Sequence, residues 1–320
     1  MKSYPLDVYW FRHGGGGQVS VKTKIEWATS SWSPIRGCTR VSEGCRNCWA
    51  ERMSARNLPG LMPKGYSAAW GDRTYAENTP SGPRWTGRVE LIESQLGIPL
   101  HWRKPRRIFV CSMSDTFHEA LPDSDILSIF QQIGKCPQHT FLILTKRAER
   151  MRSFMSARRW RNLGHSPAMG GDHYVAIIPG EHRPDDAEFL PNVCLGVSVE
   201  DRSKLHRIDS LRETPAALRF LSLEPLLKDL GELDLRGIGW VIVGGESGPG
   251  ARCCKPEWIR SALSQCRAAA VNCFVKQMGT WWARQENRDP DRWTQINGKG
   301  SDPNDWPPDL QVREMPEMRK

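Results

Sequence analysis

Seven short apolar runs, spaced by helix-length segments, constrain this chain more than any other feature. They are KIEWA (24–28), RRIFVCSM (106–113), HTFLILT (139–145), NVCLGVSV (192–199), LRFLSL (218–223), GWVIVGG (239–245) and NCFVKQ (272–277). Most are continuous in polarity rather than alternating, as parallel strands buried on both faces require. The intervening segments read as helices. Residues 123–134 place Ile126, Leu127, Phe130 and Ile133 on one stripe, and Pro256 opens a helix carrying Ile259, Leu263, Cys266 and Ala270. Residues 201–212 begin at Asp201 as a cap and bring Leu205, Ile208 and Leu211 together. Repeated strand and helix units pair in parallel through right-handed crossovers. The expectation is therefore an α/β fold, a partial or closed parallel (β/α) barrel, with a doubly wound sheet as the alternative.

The rest of the chain departs from this rhythm. Residues 1–21, with glycines at Gly14 to Gly17, read as a flexible N-terminal extension ahead of a barrel domain over 22–280. Two insertions interrupt the barrel: 58–105, holding one extra strand at RVELIE (88–93), and 158–190, an irregular excursion rich in Arg, His, Gly and Asp. Residues 281–320 read as a polar C-terminal tail. No apolar run approaches the roughly 18 residues of a membrane span, and the first residues lack a secretory layout. A cytoplasmic protein without membrane contact is expected.

Ten cysteines in a long chain of this kind read as reduced thiols and metal ligands rather than a disulfide framework. Cys111, Cys194 and Cys273 lie in strand runs and Cys266 on an apolar helix face, where free cysteine packs as a small hydrophobe. Cys136 precedes Pro137 in a loop, and Cys253 and Cys254 are adjacent. The remaining three, Cys38, Cys45 and Cys48, fall within eleven residues, with gaps of six and two, and lead into a helix over 46–57. Such a thiolate set selects zinc or an iron-sulfur centre. A closed zinc site needs a fourth ligand that local spacing does not supply. A 4Fe-4S cluster on three thiolates leaves one iron open.

Parallel barrels gather their chemistry at the carboxyl ends of the strands. Ser112, Ser114 and Asp115 follow RIFVC, Thr145 and Lys146 follow FLIL, and Glu200 and Asp201 close NVCLGVSV. Glu224 closes RFLSL, Gly244, Gly245, Glu246 and Ser247 close WVIV, and Lys276 ends CFV. Any one of these residues could merely cap a helix or start a turn, but together they suggest a site. The glycines let backbone amides approach an anion, and Glu246 could pair with an ammonium or a ribose hydroxyl. Lys276 rises from a buried strand and needs an acidic partner. A net charge of +9 favours polyanionic partners, and basic residues interleave with tryptophan in 101–107, 157–162 and 280–288, which suits nucleic acid.

The motifs KIEWATSSWSPIRGC (24–38), GCRNCWAERM (44–53), RWTGRVEL (84–91), RIFVCSMSDTFH (107–118), FLILTKRAER (141–150), VCLGVSVED (193–201), RFLSLEPLL (219–227), WVIVGGESGPGAR (240–252) and FVKQMG (274–279) carry a resemblance. The chain resembles the phage-associated three-cysteine-motif family, whose members look like distant relatives of radical S-adenosylmethionine (SAM) enzymes. The cysteine gap here is six rather than three, and Trp49 follows Cys48 where radical SAM enzymes place an aromatic residue before it. The resemblance implies a partial barrel in which Cys38, Cys45 and Cys48 hold a 4Fe-4S cluster and SAM chelates the open iron. It also implies a 5′-deoxyadenosyl radical that modifies or repairs a nucleic acid or nucleotide. Ser112, Ser114, Glu200, Glu224, Gly244, Gly245, Glu246 and Ser247 are the expected cofactor contacts, and Lys276 and Asp115 the expected catalytic residues. A reductase or other protein partner is a further expectation. The alternative is a nucleic-acid-binding barrel with a structural zinc or iron-sulfur site and no SAM chemistry.

Overall fold

The computed structural model describes residues 23, 25–55, 75–166, 171–177, 185–288 and 296–317. Its principal sheet contains β1 (Ser30–Trp32), β2 (Arg107–Val110), β3 (Thr140–Thr145), β4 (Val193–Ser198), β5 (Leu218–Leu223), β6 (Trp240–Gly244) and β7 (Asn272–Gln277), numbered within that sheet. The seven strands lie in chain order and every neighbouring pair is parallel. The sheet curls into a half-barrel, with β1 and β7 at its two edges. Helices α1 (Trp49–Ser54), α2 (Asp123–Gly134), α3 (Ala148–Ser156), α4 (His206–Arg212), α5 (Pro256–Ala268) and α6 (Thr280–Glu286) complete the unit. α2, α3, α4 and α5 are the crossovers expected of a parallel sheet.

The strands bury two different faces. Ile143, Leu195, Leu221, Val241 and Val275 pack with Phe130, Met151, Leu211 and Ile259 in the layer between sheet and helices. The alternate residues, Leu142, Cys194, Phe220, Trp240 and Phe274, join Trp27 in a second cluster without helical members. That second cluster plugs the concave side. Gly196 belongs there because a Cβ would come within 2.5 Å of the Phe220 ring. Period-two alternation then carries Ser198, Ser222, Gly244 and Lys276 onto the same concave face beyond the plug. The interior thus passes from apolar at the amino ends of the strands to polar at the carboxyl ends.

Several expectations need correction. KIEWA is not the first strand: Ala28 N donates to Ile25 O at 3.1 Å in a turn, and β1 is the more polar Ser30–Trp32. The apolar character of Trp27 and Ala28 instead reflects burial in the plug. The 158–190 excursion contains an ordered antiparallel hairpin, Arg159–Ser166 with Gly171–Ile177. Within 58–105, Ala76–Thr79 pairs with Gly82–Trp85, and Glu90–Leu91, inside the expected extra strand, pairs with Ile35–Arg36. The C-terminal segment adds no repeat, but it packs back onto the edge of the sheet. Trp306 and Leu310 are buried, and Val275 N donates to Val312 O at 2.8 Å. The expected extension over 1–21, the start of the first insertion and the end of the 46–57 helix lie outside the described residues. Among the described residues, no helix is long and apolar enough to cross a membrane.

Candidate metal centre at the strand ends

The cysteine loop leaves β1 at the polar end of the sheet. Gly37 makes its first bend at φ 82°, where a Cβ would lie 1.9 Å from the carbonyl oxygen of Arg88. A 3₁₀ turn over Glu43–Cys45 follows, with Cys45 N donating to Ser42 O at 3.0 Å and Cys48 N to Cys45 O at 3.2 Å, and α1 begins at the next residue. All three cysteines are free thiols, partly buried. Burial pushes the Cys38 thiol up to about 12, with Asp115 adding to the effect, Arg147 opposing it, and Cys48 and Cys45 contributing smaller upward pushes. Burial also raises the Cys48 thiol, and Cys45 adds to it. Among the described residues, no group of three or more His, Cys, Asp or Glu side chains could hold a single metal ion.

Buried ion pairs fix the loop from behind. Arg147, its side chain only 4% exposed, donates from Nη1 to Asp115 Oδ2 at 3.0 Å, from Nε to Glu119 Oε2 at 2.7 Å and from Nη2 to Thr39 Oγ1 at 2.9 Å. Its Nη1 also lies 3.9 Å from Cys38 Sγ. Burial works against the Arg147 charge, but Asp115, Cys38 and Glu119 outweigh it and raise its pKa. Thr39 Oγ1 is 2.8 Å from His118 Nε2 as well. Further along, Ser42 donates to Glu200 Oε1, and Arg207 Nη1 holds Glu200 Oε2 at 2.9 Å. Asn47 Nδ2 donates to Glu246 Oε2 at 2.9 Å, and Arg252 pairs with Glu246 Oε1 at 2.6 Å while donating to Glu43 O at 2.8 Å. Arg40 binds Glu51 through Nε and Nη2, with Nε 3.0 Å from Oε2.

The expected site residues fall into distinct positions. Glu200 and Glu246 touch the cysteine loop directly. Asp115 reaches it through Arg147, and its two oxygens also accept from Phe117 N, Thr145 Oγ1 and Lys146 N, so the carboxylate is fully occupied. Ser112 accepts from Ser31 Oγ at 2.9 Å and Ser114 donates to Ile35 O at 3.0 Å, which ties the loop after β2 to β1 and to the segment before the cysteines. Lys276 finds its acidic partner: Nζ is 3.0 Å from Glu224 Oε1. Gly244 faces that same carboxylate oxygen, which a Cβ would approach to 3.0 Å. Gly245 lies flat against the chain after β7, where a Cβ would lie 2.3 Å from Met278 O. Ser247 follows, half-buried.

Sequence reading missed Arg147, Arg207 and Arg252, the three arginines that organise the strand-end acids. Their one sequence signal is arithmetic: a row of buried strand-end carboxylates requires an equal supply of cations. The tryptophans also need reassignment. Trp102, Trp160 and Trp282, the centres of the three basic and aromatic stretches, are buried in the core, with Arg106 stacked 4.7 Å over the Trp102 ring. Those rings are not free to stack on bases. Trp49, immediately after Cys48, is 53% exposed.

A family model described as protein of unknown function (DUF5131) matches residues 22–307, and the chain belongs to that family. Neither the curated proteins nor the solved structures contain a match.

Proposed function

We propose that this chain is a radical SAM-like iron-sulfur enzyme of phage-associated type, working in the cytoplasm on a nucleic acid or nucleotide. The observation that carries this reading is the placement of three free, partly buried thiols, Cys38, Cys45 and Cys48, on one short loop at the polar mouth of a parallel half-barrel. Three thiolates can ligate three irons of a 4Fe-4S cluster and leave the fourth iron for SAM. Once bound, a 4Fe-4S cluster would supply one electron to the SAM sulfonium, releasing methionine and a 5′-deoxyadenosyl radical.

The chain's own residues have definite tasks. Arg147 offers Nη1 toward Cys38 Sγ, where a cation stabilises thiolate charge. Ser42, Asn47 and Arg252 pin the loop backbone and fix the directions of the sulfurs. The Lys276–Glu224 pair, on the concave face beyond the apolar plug, presents a partly exposed ammonium to whatever occupies the mouth. Asp115 serves as a positioning residue, because its oxygens are fully engaged with the chain.

Anaerobic reconstitution followed by dithionite reduction with SAM tests this reading. The expected product is 5′-deoxyadenosine, lost in Cys38→Ala. A loaded cluster that never cleaves SAM, with or without nucleic acid present, would overturn it. The second reading, a nucleic-acid-binding barrel with structural metal, would then stand on the net charge of +9.

A further inference from the structure

The outward side of the cysteine loop carries features that its inward side lacks. Among the described residues, four large hydrophobic side chains are exposed, and two of them belong to this loop: Val41 at 37% and Trp49 at 53%. The other described tryptophans show why this matters. Trp27, Trp32, Trp102, Trp160, Trp240, Trp282 and Trp306 are buried and Trp85, Trp258 and Trp281 half-buried, so an indole more than half exposed beside the candidate metal centre is a departure from how the described residues use tryptophan. The cations around it are equally distinct. Arg40, Arg147, Arg207 and Arg252 each hold a carboxylate. Arg46, exposed three residues before Trp49, and Lys146, partly exposed at the end of β3, have no carboxylate of the described residues within ion-pair distance. Lys146 stands at the same mouth: its backbone N donates to Asp115 Oδ2 at 3.1 Å, and the next residue, Arg147, brings Nη1 to 3.9 Å from Cys38 Sγ. One exposed indole and two cations unpaired by any carboxylate of the described residues thus share the mouth at the cysteine loop.

We infer that Trp49, Arg46 and Lys146 form a docking site for an unpaired nucleotide of a single-stranded nucleic acid, the base stacking on the indole and the flanking phosphates meeting the cations. An indole face recognises a flat π-system without regard to its hydrogen-bonding edge, and the cations select the anionic linkage beside it. A base inside a duplex has its faces covered, so the site takes single strands or a base turned out of the stack. The inference deepens the proposed nucleic-acid substrate by assigning the surface that holds it, and it rests on that reading for its purpose while standing on its own for binding.

Fluorescence anisotropy of a labelled oligothymidylate of about 12 nucleotides, free and as a duplex, tests the assignment on the reconstituted chain. The single strand should bind more tightly than the duplex. Trp49→Ala should weaken single-strand binding about tenfold, while Trp49→Phe, which keeps a stacking face, stays within about threefold of the parent. Lys146→Gln and Arg46→Gln should each lower the slope of log affinity against log salt by about 0.7. Iron content and circular dichroism of each variant identify one that has lost its fold, and the two cation variants keep the test decisive if Trp49→Ala is such a case. Equal binding by Trp49→Ala and the parent, preference for the duplex, unchanged salt slopes, or no binding of either probe would overturn the inference. Failure to release 5′-deoxyadenosine with binding intact would instead remove the radical reading and leave this site standing.

Discussion

The two sides of the cysteine loop use charge in opposite ways. On the inward side, buried carboxylates are matched by arginines: Asp115 with Arg147, Glu200 with Arg207, Glu246 with Arg252. On the outward side, Trp49 is exposed, and Arg46 and Lys146 pair with no carboxylate of the described residues. A matched buried pair has little left to offer a ligand, but it fixes geometry, and removing one member leaves the other uncompensated in a poor solvent for charge. An unmatched cation at the surface stabilises the fold little and is available to a ligand. The inner side therefore holds the cysteine loop in place, and the outer side is the face that the proposed function leaves for substrate.

If this contrast holds, substitutions on the two sides should differ in kind. Asp115→Ala leaves the buried Arg147 guanidinium with only the exposed Glu119 as its carboxylate and the Lys146 amide without its acceptor, and should cost about 3 kcal/mol in urea unfolding of the metal-free chain. A cost comparable to that of a surface substitution would break the comparison. Gly44→Ala acts more locally. Its Cβ would fall 2.7 Å from Glu200 Oε1, a fully buried carboxylate with little room to retreat, so a loss of about 1–3 kcal/mol is expected in the same measurement.

Acid sharpens the contrast from another direction. Burial alone would raise the Glu246 carboxyl, but the hydrogen bonds from Arg252, with help from Asn47, hold it below the ordinary glutamate range. A depressed pKa in the folded state means that this group contributes stability at neutral pH and loses it as pH falls through that depressed value. As pH falls from roughly 5, where an ordinary glutamate begins to protonate, down through the depressed value, the parent should lose more stability than Glu246→Gln, as read from unfolding midpoints across a pH series. Parallel curves for the two proteins would show that the clamp is inert. The smallest effects belong to the outer side, where Trp49→Ala and Lys146→Gln should change unfolding free energy by no more than about 0.5 kcal/mol.

Much of this was legible in the sequence. Continuous apolar runs located six of the seven strands of the sheet, because residues buried on both faces leave an unmistakable pattern. β1 escaped because an edge strand of three residues, two of them serine, buries too little to show, whereas neighbouring Trp27 and Ala28 mimic a strand while filling the plug. The hairpin over Arg159–Ser166 and Gly171–Ile177 was hidden by polar residues on both sides, leaving no alternation to read. At the site, chain proximity revealed the three cysteines and strand ends revealed the acids. Their partners were not legible: Arg147 reaches Asp115 across 32 residues and Asn47 reaches Glu246 across 199, separations that only the folded sheet brings together. The tryptophans misled because composition does not distinguish an indole packed under an arginine, as at Trp102, from one left open, as at Trp49.

The account depends on three thiolates sharing one multi-iron centre. Iron, zinc and acid-labile sulfide per chain, measured after anaerobic reconstitution and desalting, test it most directly. About four irons and four sulfides for the parent, with loss of both in Cys38→Ala, Cys45→Ala and Cys48→Ala, is the predicted result. One tightly held zinc with no sulfide, or iron that remains after any one of these cysteines is removed, would contradict it.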